Sequence, residues 1–130
     1  MKKRGNIVYL AGPMTNVAEF NRPAFRAAEA ALAKNNKYVV INPAKLPIGL
    51  HADDYMPICL QMINAADMIC LLDGWEHSAG ARLEKHYAEH RGLPVYRFVD
   101  GEMIDTLEYK MPLPLLRTMA RANLSDQGGL

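Results

Sequence analysis

MICLLDGWEHSAGARLEKHYAEHR, residues 68–91, decides the fold class. Its first five residues are apolar and bounded by a turn, as a short buried strand requires, and Asp73-Gly74 supplies that turn. Ser78 is a natural N-cap, and residues 79–91 then carry helical periodicity. Working outward, residues 6–10 (NIVYL), 38–41 (YVVI) and 94–99 (PVYRFV) are β-rich runs punctuated by turn residues. Between the first two strands, Asn21 is placed to cap a helix with Pro23 in its first turn. Ala27, Ala28, Ala31 and Leu32 give that helix an apolar stripe ending near Asn35-Asn36. Residues 55–65 read as a second helix with Pro57 near its start, preceded by Asp53 and Asp54 as caps.

The resulting order, β-α-β-α-β-α-β, predicts a doubly wound (Rossmann-like or flavodoxin-like) parallel sheet of four to five strands with flanking helices. Ligands of such sheets bind outside the carboxyl ends of the strands, which directs attention to residues 12–15, 42–46 and 73–78. Beyond Val99, Asp100-Gly101 reads as a turn, residues 111–114 as a breaker run and residues 115–124 as a short final helix, so residues 100–130 form an unplaced tail. The 130 residues are expected to form one domain.

Fifteen Lys and Arg against fourteen Asp and Glu leave a formal charge of +1, with no basic face for nucleic acid or a membrane surface. No apolar run reaches a membrane span, and the chain reads as cytoplasmic. Cys59 and Cys70 lie in apolar segments without CxxC spacing, as buried, reduced thiols do. Neither a metal nor another cofactor is expected: His86-Tyr87-Ala88-Glu89-His90 spells HxxEH, but both histidines fall at the border of the polar face and read as a solvated helix surface.

On a helical wheel of residues 79–91, Ala79, Gly80, Ala81, Leu83, Tyr87 and Ala88 share one face, and Arg82, Lys85, His86 and Glu89 the other. Glu84 falls among the apolar set. A carboxylate there is either a partnered functional group or a rim residue salt-bridged to Arg91 or a neighbouring strand end. Ser78 either merely caps the helix or, with the unpaired N–H groups of Ala79, Gly80 and Ala81, forms an anion site. Six residues of helix, about 9 Å of rise, separate Ser78 from Glu84, within the length of one nucleotide. Tyr9 is next to last in the first strand, pointing its hydroxyl at the carboxyl end or burying it. Gly12-Pro13 lets a ligand approach the backbone. Trp75 is a candidate base-stacking surface, and Asp73 a candidate substrate contact beside it.

Taken together, Tyr9-Leu10-Ala11-Gly12-Pro13-Met14-Thr15, Phe20-Asn21-Arg22-Pro23-Ala24-Phe25, Asn42-Pro43-Ala44, Asp54-Tyr55-Met56 and the run from Gly74 to Glu84 resemble the small DUF4406 proteins of phages and prophages. Those in turn look like the nucleoside 2-deoxyribosyltransferase superfamily. The resemblance implies that Glu84 attacks C1′ of a sugar, that Tyr9 helps hold its carboxylate, and that Ser78, standing where the nucleoside transferases carry Asp, binds a 5′-phosphate. It also places Cys59 where the superfamily's usual acid protonates the leaving base. The expected activity is that of an N-glycosidase or deoxyribosyltransferase on a (deoxy)nucleoside 5′-monophosphate or nucleoside. The alternative is a catalytically reduced nucleotide-derivative binding protein. Subunits of the superfamily pair and exchange C-terminal segments, which implies a homo-oligomer, a dimer or higher.

Overall fold

A computed structural model describes residues 5–105. The elements run β1 (Ile7–Ala11), α1 (Arg22–Ala33), β2 (Val39–Ile41), α2 (Ala52–Asn64), β3 (Met68–Leu71), α3 (Ala79–His90), β4 (Val95–Val99) and β5 (Glu102–Asp105). They form one sheet in the order β2-β1-β3-β4-β5, parallel from β2 to β4 and antiparallel between β4 and β5. This is the doubly wound α/β arrangement the alternation of elements predicts.

Side-chain parity along the strands sorts the core into two layers, because successive residues of a strand face opposite sides. Val8, Leu10, Met68, Cys70 and Leu72 face α1, packing on Phe25, Ala28 and Leu32. Tyr9, Ala11, Ile69, Leu71 and Val95 face α2 and α3, packing on Cys59, Ile63, Ala81 and Ala88. The chain leaves β1 toward β2 over one face and reaches β3 over the other, so a crevice opens between the carboxyl ends of β1 and β3. Asp67 fixes the opposite end of this pair: its Oδ2 accepts from the Ile7 N–H at 2.9 Å, and its own N–H donates to the Ile7 carbonyl at 2.8 Å.

Four local details depart from expectation. β5 is a strand where only a weakening pattern was legible, since it has two partly buried apolar residues, Met103 and Ile104, between charged ends. Its pairing comes from the hairpin turn Asp100-Gly101, whose φ values of 50° and 86° suit a tight two-residue loop. In α1 the buried stripe is Phe25, Ala28 and Leu32, whereas Ala27 is exposed; Phe25 takes the position facing the sheet one turn before Ala28. Asn21 precedes that helix in a left-handed conformation with no side-chain cap. α2 starts earlier than expected because His51, not an aspartate, caps it: Nδ1 accepts from the Asp53 N–H at 3.1 Å, and Asp53 and Asp54 occupy the first turn, where carboxylates favour the helix dipole.

The final helix expected over 115–124, with the rest of the tail past Asp105, lies outside the described residues. Among the described residues, no helix is long and apolar enough to cross a membrane.

Gly12, just past β1, is fixed by space. A Cβ there would lie 2.9 Å from Leu72 Cβ and 3.4 Å from Phe25 Cζ. Gly12→Ala is therefore expected to lower stability by about 1–3 kcal/mol through overpacking, read as a reduced urea midpoint at unchanged slope. An unaltered midpoint would mean that Leu72 and Phe25 give way freely.

Candidate functional site

The parity that puts Tyr9 on the α2 and α3 side aims its ring at Glu84, one and a half turns into α3. The Tyr9 hydroxyl donates to Glu84 Oε2 at 2.8 Å, with Tyr9 fully buried and Glu84 7% exposed. Cys59, from α2, completes the cluster, its thiol near enough to both to influence their ionisation. Of the two positions open to Glu84, the structure takes the interior one; its partner is a phenol, and Arg91 is exposed at the far end of the helix.

Burial dominates the electrostatics. It raises the Glu84 carboxyl to about 7, the Tyr9 hydrogen bond and the Cys59 thiol offsetting only part of the desolvation. Burial, followed by the neighbouring Glu84 charge, pushes the Tyr9 phenol well above its ordinary range. The Cys59 thiol is pushed up to about 11 and the Cys70 thiol to about 12, again mainly by burial.

Glu84 lies on the wall of a cavity of about 650 Å³ at the carboxyl ends of the strands. Gly12, Cys59, Ser78, Gly80 and Ala81 also line it, while Tyr9 supports Glu84 from beneath. Ser78 caps α3, its Oγ accepting from the Ala81 N–H at 3.1 Å. That bond corrects one expectation: the Ala81 N–H is already used, so the donors left toward the cavity are the Ala79 and Gly80 N–H groups and the Ser78 hydroxyl hydrogen.

Two expected contacts are not in the cavity. Trp75 is buried in the core at 6% exposure, with Lys85 Nζ 5.6 Å and Arg97 Cζ 6.0 Å from its ring centroid, so it presents no stacking face to a ligand there. Asp73 is exposed outside the lining. The same packing corrects the helical wheel: Lys85 is buried along Trp75 while its ammonium meets Glu89 at 2.8 Å, and Leu83 faces outward. A lysine stem covers apolar surface as readily as a leucine does, which a polar label hides.

Phe20 and Arg22 are among the cavity residues to which the sequence reading assigned no role. Glu19, Phe20 and Asn21 are consecutive left-handed residues, with φ of 54°, 53° and 60°, and this turn leaves Phe20 half-exposed on the cavity wall. Only Asn21 among them commonly adopts that conformation, so the pattern carried no usable signal. Arg22 follows at the start of α1 and donates from Nη2 to the Leu46 carbonyl at 3.2 Å. The assembled site is thus an apolar cavity with a buried carboxyl in its wall, a helix N-terminus on one side and a guanidinium on another.

Two measurements check these electrostatics. Glu84 holds its proton in the folded state up to about pH 7 but in the unfolded state only to about 4.5, so its own contribution to stability is most favourable at low pH and declines as pH rises through that window. Glu84→Gln removes the decline and keeps an acceptor for Tyr9; at pH 8 it should be more stable than the wild type by up to about 3 kcal/mol, the gap closing toward pH 4.5. A gap independent of pH in urea titrations would contradict the shift. Both cysteines should resist a thiol reagent in the native protein at neutral pH, and rapid labelling of Cys59 would show a thiol more open than the one described.

Residues 6–97 match the family described as Domain of unknown function (DUF4406), a span that contains Tyr9, Gly12, Arg22, Cys59, Ser78 and Glu84. No curated protein matches the chain. With most of its length and the whole cavity inside that match, the chain belongs to the DUF4406 family.

Proposed function

We propose that the protein is an N-glycosidase or deoxyribosyltransferase acting on the N-glycosidic bond of a (deoxy)nucleoside 5′-monophosphate or nucleoside. The observation that carries this reading is the buried Glu84 carboxyl, held by Tyr9 on the wall of a cavity at the topological switch point. A carboxylate stripped of water and fixed by one phenolic hydrogen bond is suited to attack C1′. The C1′–N bond breaks with its electron pair leaving on the base, which takes up a proton; water or a second base then displaces Glu84 from C1′. Attack requires ionised Glu84, so turnover should rise with pH through about 7.

Ser78 and the N-terminus of α3 are positioned to hold the 5′-phosphate, because that helix end offers unpaired N–H donors and favourable dipole charge. The likeness to the nucleoside 2-deoxyribosyltransferase superfamily supports the same assignment. Within it, the protein works on a small molecule in the cytoplasm as a dimer or higher oligomer.

Cys59 favours a second reading, a catalytically reduced nucleotide-derivative binding protein of phage or prophage origin. The thiol beside Glu84, pushed up to about 11, is a weak donor for the leaving base. Asp53, Asp54 and Asp73, the carboxyls that could replace it, are exposed and outside the cavity lining. His77 is the imidazole on the wall.

Incubation with a panel of nucleosides and 5′-monophosphates, with chromatography for free base, separates the two. Release that is lost in Glu84→Ala supports the enzyme, whereas tight binding without release supports the binder. Ser78→Ala should weaken monophosphate binding roughly tenfold or more while leaving the matched nucleoside nearly unchanged, since a hydrogen bond to a charged group contributes about 1.5–3 kcal/mol. Equal wild-type affinities for the pair would remove the phosphate assignment.

A further inference from the structure

Among the described residues that line the cavity, Arg22 is the permanently charged side chain, and nothing in the proposed chemistry uses it. Its guanidinium is part-buried. Nη2 is anchored on the Leu46 carbonyl at 3.2 Å, and Nε is enclosed without a hydrogen-bond partner. The anchor leaves the other N–H groups of Nη1 and Nη2 unassigned. An arginine donates only, so what it recognises must present acceptors.

Topology places Arg22 across the crevice from the anion-seeking helix end. Ser78 follows β3, on one side of β1, whereas Arg22 is tied to the segment that follows β2, on the other side. Glu84 lies with Tyr9, which belongs to β1. In a nucleotide, the phosphate and the base leave the sugar at opposite ends. With C1′ at Glu84 and the phosphate at Ser78, the base extends toward Arg22 and the half-exposed Phe20.

We infer that Arg22 is a specificity-determining residue that reads the acceptor edge of the base, selecting nucleotides whose base carries an oxo group there over those carrying an amino group. The inference rests on the nucleotide reading proposed above. Its physical basis is asymmetry: an oxo group accepts from the guanidinium, whereas an amino group sets donor against donor and leaves a partly desolvated cation unpaired. The anchor to Leu46 restrains the guanidinium, so less side-chain freedom is lost when a base binds.

Matched pairs test it: the 5′-monophosphates of deoxyinosine and deoxyadenosine, and of deoxyuridine and deoxycytidine, each with the parent nucleoside, titrated calorimetrically into wild type, Arg22→Gln and Arg22→Lys. The wild type should prefer the oxo member of each pair about tenfold or more. Arg22→Gln, whose amide both donates and accepts, should bring each pair within about twofold. Arg22→Lys keeps a cation without the fork and should retain a reduced preference, which also serves if the glutamine variant fails to fold. No wild-type preference within pairs would overturn the inference while leaving the nucleotide reading intact. A loss in Arg22→Gln confined to monophosphates, whatever their base, would overturn it by assigning Arg22 to phosphate. Equal losses for every ligand would reduce Arg22 to a brace for Leu46. Binding of no nucleoside or monophosphate at all would overturn the underlying reading as well.

Discussion

The hydrogen bond from Tyr9 to Glu84 constrains most of the structure around it. For a residue in the middle of β1 to meet one in the middle of α3, β1 must sit beside β3, α3 must cross back over the face that odd-numbered β1 residues occupy, and α3 must be phased with Glu84 inward. Once Tyr9 faces that way, Val8 and Leu10 must face α1, which sorts the core into its two layers. Shifting β1 by one residue would turn the phenol to the wrong side and leave Glu84 buried without its donor.

Burying Glu84 opposes folding at neutral pH. Its carboxyl, raised to about 7, shows that Tyr9 and Cys59 do not repay the desolvation. An alanine between Ala81 and Ala88 would pack on the same face without that penalty, so the glutamate is not there for stability. Destabilising carboxyls that are nonetheless held in one geometry cluster at functional sites. The neighbouring groups agree with this: Cys59 and Tyr9 both resist ionisation, so Glu84 is the member of the cluster that changes charge near neutral pH.

The parts of this arrangement that were legible in the sequence are those set by local pattern. Short apolar runs between helical stretches revealed the parallel strands, Ser78 before three small residues revealed the helix end, and Glu84 stood out because it interrupted an apolar face. What depended on tertiary environment was misread. Trp75 looked like a loop aromatic free to stack, yet two buried cations, Lys85 and Arg97, enclose it. β5 is held by pairing to β4 more than by its own composition. Phe20 reaches the cavity wall because it and Glu19 are left-handed, a conformation their residue types rarely choose, so no propensity could have announced it.

The two sides of the cavity are built differently. The segment before α3 is braced from below and from the side: Trp75 is locked in the core, Arg82 Nη1 donates to the Glu76 carbonyl at 2.7 Å, and the buried Arg97 stands 3.7 Å from the Glu76 carboxylate. Those contacts brace the N-terminus of α3 and, with it, the orientation of its donors. The segment after β2 is held as far as Pro47 and open beyond it: Arg22 and Tyr55 donate to carbonyls at Leu46 and Pro47, and Asn42 and Lys45 both meet Glu29. Its Ile48 is 64% exposed, and Gly49, at φ +109°, has open space where a side chain would be. A rigid donor set suits a group of constant shape and charge, such as a phosphate, because preorganised donors bind it without a reorganisation cost. A wall that opens to solvent at Ile48 and Gly49 suits the part of a ligand that varies. On the proposed reading, the division between the two walls follows the division within a nucleotide: the phosphate, common to all, meets the braced side, and the base meets the side that carries Arg22.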